Sequence, residues 1–399
     1  MTIAHNRIYL DYNAGAPVHP AVSMAVCAVM EEFGNPSSVH AEGRGMRKCI
    51  ENARAILAES IQCSPGNIIF TSSATEAANH ALSPVIRVSG RESRISRLYV
   101  SAVEHPCILS GGRFSPDDIE TIPVLETGIV DLARLEEALS RHDADIGAPM
   151  VAVMLANNET GVIQPISEIR EVVRRHDGYL VLDAVQGLGK IGTSMGELGA
   201  DFVLLSAHKI GGPQGAGALV LGSDSIVPAP LLRGGGQESF NRAGTENVAA
   251  ITGFGVAVEQ LPNAESIGKI SAIKDSIEDG LRTISNAKGE LAEKPVFFGQ
   301  DVDRLPNTTC FAVPGIKAET ALISLDLAGI AASSGSACSS GKVRKSHVLA
   351  AMGVSGELAS CALRISLGPE SKMEEAARFL DAWKDIVRLC SREEIPMAV

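Results

Sequence analysis

The chain has 399 residues, of which 45% are hydrophobic and 21% charged, and a formal charge of −12. That length and balance fit a globular protein with one large and one smaller domain. The acidic surface disfavours charge-driven nucleic-acid binding, no apolar run reaches the roughly 20 residues of a membrane span, and Met1–Arg7 holds no signal-peptide core, so a cytoplasmic location is expected.

In chain order, short apolar runs alternate with helical patterns. Expected strands are Asn67–Thr71, Arg97–Val103, Pro149–Leu155, Tyr179–Leu182, Phe202–Leu205 and Gly217–Leu221. Expected helices include Ala41–Ser60, Thr75–Ser83, Leu132–Ser140, Ile166–His176 and Val248–Gln260. Such alternation implies βαβ units: an α/β fold with a mostly parallel sheet and helices on both faces. Too little chain separates Phe202–Leu205 from Gly217–Leu221 for a helical crossover, so an antiparallel neighbour is expected there. Composition shifts near Leu261-Pro262-Asn263. A charged helical stretch follows, then strands at Phe297–Gly299, Thr308–Val313 and Ala362–Leu367, and a closing helix over Met373–Leu389. The reading is a large α/β domain over 15–260 and a smaller α+β domain formed by 1–14 and 261–399.

The chemistry gathers where apolar runs stop. Phe202–Leu205 ends at Ser206-Ala207-His208-Lys209, followed by a glycine-rich bend. A lysine at the carboxyl end of a buried strand has its pKa lowered by desolvation, and a neutral lysine amine forms Schiff bases. Alone, a solvated lysine closing a strand is the commoner case. Three other runs end in polar residues, however: Glu104-His105, Asn157-Asn158-Glu159, and Asp183 followed by Gln186. In open parallel sheets ligands bind beyond those ends. One crevice then holds His105, Asn158, Asp183, Gln186, His208 and Lys209, which suits a pyridoxal cofactor: a carboxylate for the ring nitrogen, a flat partner for the ring face, and amides for its oxygen. Thr71-Ser72-Ser73-Ala74-Thr75-Glu76 joins a strand to a helix start and suits a phosphate.

Cys338 lies in Ser333-Ser334-Gly335-Ser336-Ala337-Cys338, with Lys342, Arg344 and Lys345 close behind. Small flanking residues suit a reachable thiol, and nearby cations favour the thiolate. Cys27, Cys49, Cys63, Cys107, Cys310, Cys361 and Cys390 read as packing residues, and with no C-x-x-C pair neither disulfides nor a structural zinc site is expected.

These segments, with Tyr9-Leu10-Asp11-Tyr12-Asn13-Ala14, Gly34-Asn35-Pro36-Ser37-Ser38 and Arg242-Ala243-Gly244-Thr245-Glu246-Asn247, run in order along nearly the whole chain. Together they resemble the pyridoxal phosphate-dependent cysteine desulfurases of the class V aminotransferase (fold type I) superfamily. The resemblance implies a seven-stranded, mostly parallel sheet plus a smaller α+β domain. It makes Lys209 the Schiff-base lysine, Asp183 the partner of the ring nitrogen, and His105 the stacking ring. Gln186 and Asn158 take the ring's oxygen side, while Ala74, Thr75, Ser206 and His208 take the phosphate. Thr245 reaches the phosphate of a neighbouring subunit, implying a homodimer. Arg364 grips the substrate carboxylate with Asn158 and Asn35, and Cys338 accepts sulfur from L-cysteine as a persulfide. A mobile loop, about 333–345, of the long kind that feeds iron–sulfur scaffolds would pass that sulfur to an acceptor protein. Ser73 departs from the family's usual glycine, Gly211 and Gln214 stand just after the lysine where the family often has larger or charged residues, and the tail after Arg392 does not resemble the family's docking tail. Three alternatives stay open at this level. An aminotransferase needs no thiol, a selenocysteine lyase uses nearly the same groups, and a non-catalytic platform has no use for Lys209, Asp183, Arg364 and Cys338 together.

Overall fold

The computed structural model describes residues 7–284, 294–334 and 345–390. Seven strands form the main sheet, in the spatial order Ile119–Ile122, Arg91–Ser101, Ala148–Met154, Tyr179–Asp183, Phe202–Ser206, Gly217–Leu221, Ile68–Thr71. The first five pair parallel; Gly217–Leu221 runs antiparallel to both its neighbours, as the short connection requires. The first half of the long Arg91–Ser101 strand also pairs with Val85–Val88, which pairs in turn with Ile226–Pro228, making nine connected strands.

Alternation along each strand builds a core on both faces of the sheet. Val151, Val153, Leu182, Val203 and Leu205 face one way and pack with Leu57, Leu135, Ile169 and Phe254. Met150, Ala152, Val181, Phe202 and Leu204 face the other and pack with Ala77, Ala78, Leu82 and Ile108. Helices over Ala41–Ser60, Leu132–Ser140, Ile166–Arg175 and Val248–Glu259 cover the first face. Their ends follow from capping: Asp131 accepts the N–H groups of Ala133 and Arg134, and Asn247 accepts that of Ala250. Gly255 lets two of these helices close up, since a Cβ there would lie 2.7 Å from Ala53 Cα.

A second core lies around the antiparallel sheet Val296–Phe297, Thr308–Ala312, Ala362–Ser366. Helices Ala264–Thr283 and Met373–Cys390 cover it, and Phe311 meets Trp383 edge-on at 5.3 Å. Ile8 and Leu10 belong to this core, and Ile8–Tyr9 pairs parallel with Ile330–Ala331.

Several elements lie outside those expected from sequence. Pro20–Glu31 is a helix capped by His19. It carries apolar residues on all sides, so no 3.6-residue period marks it. Val85–Val88 enters a two-residue hairpin in which Ser89 and Gly90 both have positive φ. The expected helix Thr75–Ser83 runs over Ala74–Ala81 and is capped by Ser73.

A buried ion pair ties these layers together. Arg54 donates to both carboxylate oxygens of Glu238, at 2.9 and 2.6 Å, and to the Ile68 carbonyl; Glu238 also accepts the Phe70 N–H. Removing one partner of such a pair strands a buried charge. Glu238→Ala is therefore expected to cost about 3–5 kcal/mol, read as a lower denaturant midpoint for the cofactor-free protein.

Candidate active site

The parallel register sets Met154 beside Asp183 and Asp183 beside Leu204, so the strands finish at one level. The polar residues that follow them meet there. Asp183 is buried; one oxygen accepts the Val185 N–H at 3.0 Å. Burial raises its pKa to about 6, against the opposing pull of that N–H and of Lys209.

Lys209 closes the one-turn 3₁₀ helix Ala207–Lys209. Its amine donates to the carbonyls of Asn13 at 2.7 Å and Ala14 at 2.9 Å. Burial first, and then the Arg364 charge, lower its pKa to about 8, while Asp11 and Asp183 act in the opposite sense. A sizeable neutral fraction thus exists at neutral pH, as a nucleophilic amine requires. Burial and Lys209 likewise hold His208 near 4, and its Nδ1 lies 2.8 Å from Ser206 Oγ.

His105 caps the turn Pro106–Leu109, and its Nδ1 accepts the Cys107 N–H at 3.2 Å. The proton of the neutral ring therefore sits on Nε2. Desolvation, Lys209 and His347 keep that ring neutral by lowering its pKa. At the start of helix Ala74–Ala81 the Ser73 hydroxyl accepts the Glu76 N–H. The N–H groups of Ala74 and Thr75 are left with no acceptor among the described residues, at the positive end of the helix dipole. Gly217 passes directly beneath: a Cβ there would lie 2.5 Å from Ser73 C and 2.8 Å from Ala74 N.

Arg364 comes from the second core and is 4% exposed. It donates to the Asn158 carbonyl at 2.8 Å and to Asp11 Oδ1 at 2.6 Å, and its buried Nε has no partner among the described residues. A guanidinium with N–H donors to spare is equipped to take a carboxylate. The Asn158 side chain makes no hydrogen bond with the described residues, whereas Gln186 donates to the Asn13 carbonyl at 3.0 Å.

Asn35 is not brought in: among the described residues it bonds within its own turn, accepting the Ser37 N–H. Thr245, expected to serve a neighbouring subunit's site, is exposed. Cys338 lies outside the described residues, but both flanks of its segment are anchored at the site. Ser333 exchanges backbone hydrogen bonds with Arg364, and Ser346 Oγ donates to Glu159 Oε2 at 2.5 Å. Sequence reasoning gave no role to Asp11, Asn13, Glu104 or Lys190. Asp11 and Asn13 stood inside a segment quoted for the resemblance, while Lys190 follows a glycine turn that carries no signal of its own. Glu104 is fully buried, and burial raises its pKa to about 8.

The donors fit a phosphorylated pyridine aldehyde: free N–H groups at a helix start, a glycine floor, a buried carboxylate and an amine of lowered pKa. In the cofactor-free protein the Lys209 amine destabilises the fold wherever it is protonated. Its folded pKa of about 8 lies below the ordinary 10.5, so the penalty is complete below pH 8 and gone above about pH 10.5. Lys209→Met is expected to melt higher than wild type at pH 7, with the gap narrowing as the pH is raised to 10; calorimetry across that range reads it.

The class-V aminotransferase family matches residues 8–379. The cysteine desulfurase IscS of Dictyoglomus turgidum is 36% identical over 387 residues, covering 96% of this chain and 94% of the relative. Cysteine desulfurase IscS 1 of Archaeoglobus fulgidus is 37% identical over 385 residues, covering 95% and 96%. The X-ray structure of a NifS-like protein from Rickettsia africae superposes with a TM-score of 0.81 at 34% identity, covering 96% of this chain and 99% of that one. With that agreement in sequence and fold, the chain belongs to the pyridoxal phosphate-dependent cysteine desulfurases of the class-V aminotransferase family.

Proposed function

We propose that this enzyme converts L-cysteine to L-alanine and leaves the sulfur as a persulfide on Cys338, for transfer to an acceptor protein of iron–sulfur cluster assembly. The observation that carries the reading is the pairing of Ser333 with Arg364. The strand that bears the candidate carboxylate grip also anchors the segment bearing the thiol. Cys338 is five residues beyond Ser333, so the chain can carry it no further than about 18 Å from that anchor.

Ala74, Thr75, Ser206 and His208 would hold the cofactor phosphate, Asp183 its ring nitrogen, His105 its face, and Gln186 and Asn158 its oxygen. Bound there, the cofactor supplies an electron-withdrawing ring that takes up the electron pair released at the substrate α-carbon. Arg364 binds the substrate carboxylate, and Asp11 keeps the guanidinium turned. Asn158 adds a donor beside it, with Asn35 a further candidate. Lys209, in its neutral form, takes the proton from the α-carbon and returns one later. His105 presents its proton from Nε2. The Cys338 thiolate attacks the substrate sulfur; the carbon–sulfur bond breaks, a sulfur–sulfur bond forms, and the carbon gains a proton as alanine leaves.

The wider setting follows the same reading. Residues 15–260 form the cofactor-binding domain, and 1–14 with 261–399 the smaller one. Large exposed apolar side chains at Met24, Met30, Phe33, Val39 and Phe240 favour a homodimer in which Thr245 serves the neighbouring site. No helix among the described residues is long and apolar enough to cross a membrane, which accords with a cytoplasmic enzyme.

Cys338→Ala is expected to lower alanine release from L-cysteine by on the order of a hundredfold or more while the visible cofactor band stays. Undiminished turnover in that variant would remove Cys338 from the mechanism. Arg364→Ala is expected to raise KM for cysteine by about ten- to a hundredfold, the worth of a charged hydrogen-bond pair. Borohydride reduction of the holoenzyme followed by peptide mapping should place the cofactor on Lys209.

A further inference from the structure

A second amine lies in this site. Lys190 donates to Gln186 Oε1 at 2.5 Å and to Asn13 Oδ1 at 2.9 Å. It lines the same cavity as Lys209, about 430 Å³ in volume, whose walls include Leu188, Ile210, Leu261 and Leu367. The charges acting on it are those of Lys209 and Arg364, both repulsive, and burial acts in the same direction; together they hold its pKa well below that of an ordinary lysine. Its two hydrogen bonds both go to side-chain amide oxygens.

Those two contacts decide which way two amides face. With Oε1 held by Lys190, Gln186 turns its Nε2 to the Asn13 carbonyl at 3.0 Å and keeps one N–H to spare. The reversed amide would set oxygen against oxygen at that carbonyl. Asn13 is 1% exposed and uses every polar atom it has. Its Oδ1 takes Lys190 and Asn307, and its Nδ2 donates to the Asn158 carbonyl and Thr308 Oγ1. Its carbonyl takes Gln186 and Lys209, and its N–H donates to Ser366 Oγ.

We propose that Lys190 is a positioning residue of the active site: through Gln186 and Asn13 it fixes the N–H that Gln186 offers the cofactor's phenolic oxygen and the carbonyl on which the Lys209 amine rests. The inference deepens the functional reading above and rests on its assignment of Gln186. An N–H donated to the phenolic oxygen draws off negative charge and weakens that oxygen's hold on the proton of the neighbouring lysine–cofactor linkage. Losing the alignment therefore moves the titration of the visible band to higher pH.

The test compares wild type, Lys190→Met and Lys190→Gln as holoenzymes, together with the melting of each cofactor-free protein. Lys190→Met keeps the length of the side chain without its donors. It is expected to bind pyridoxal phosphate about tenfold more weakly, the worth of one or two hydrogen bonds, and to show the upward shift of the band's titration. Lys190→Gln keeps an N–H donor and is expected within about threefold of wild type, with the titration near its original place. A Lys190→Met protein with wild-type affinity and an unmoved titration would overturn the proposal. So would a Lys190→Gln protein that melts normally yet binds as weakly as the expected Lys190→Met, and this second comparison stands even if Lys190→Met fails to fold. A wild-type protein that shows no visible band at all would bring down the cofactor assignment itself, and this inference with it.

Discussion

The saturated hydrogen bonding of Asn13 is the constraint on which the rest of the site depends. Buried amides must find partners, and this one finds them on both sides of a boundary: Gln186, Lys190, Lys209 and Asn158 from the main sheet, Asn307, Thr308 and Ser366 from the second core. The Lys209 amine arrives on one of these structures and the Arg364 guanidinium on the other. Neither core alone assembles the pair; one short polar side chain holds them in register.

Around that knot the protein tolerates an expensive charge arrangement. Lys209, Lys190 and Arg364 repel one another, while Asp11 and Asp183 offset part of the repulsion. Burial withholds water from all of them. The outcome is an amine that gives up its proton near pH 8, beside a guanidinium that never does. A fold optimised only for stability would replace such groups with apolar ones, so the arrangement is the usual exchange of stability for chemistry. The same logic explains the floor beneath the turn at Ser73 and Ala74. Gly217 contributes no packing, yet any side chain there would push on Ser73 and Ala74.

Much of the site was legible because its residues sit at the ends of apolar runs. Asp183, Ser206 and Lys209 stand at a polar boundary that strand length and alternation locate without coordinates. Lys190, Asp11 and Asn13 were opaque for the opposite reason. Lys190 and Asn13 occupy turns and Asp11 a single bridge to Ser366, and their meaning comes from partners more than a hundred residues away: Asn13 with Gln186 and Lys190, Asp11 with Arg364. The fold divided the same way. The strands flanked by amphipathic helices were found within a few residues, whereas Pro20–Glu31 and Val85–Val88 went unseen because an all-round apolar helix and a four-residue strand have no distinctive period.

The sequence by itself determined the class of the protein, its alternating architecture, the placing of Lys209 at the end of a buried strand and the chemistry that a lysine, a carboxylate, an arginine and a thiol can share. These are properties of residue type and local period, which survive without a third dimension. Tertiary structure alone decided that Arg364 reaches the main-sheet site, that Ser333 and Ser346 anchor the thiol-bearing segment beside it, and that a second lysine borders the first. Those facts depend on how two separate cores meet, and contacts between elements distant in the chain leave no periodic trace in either one.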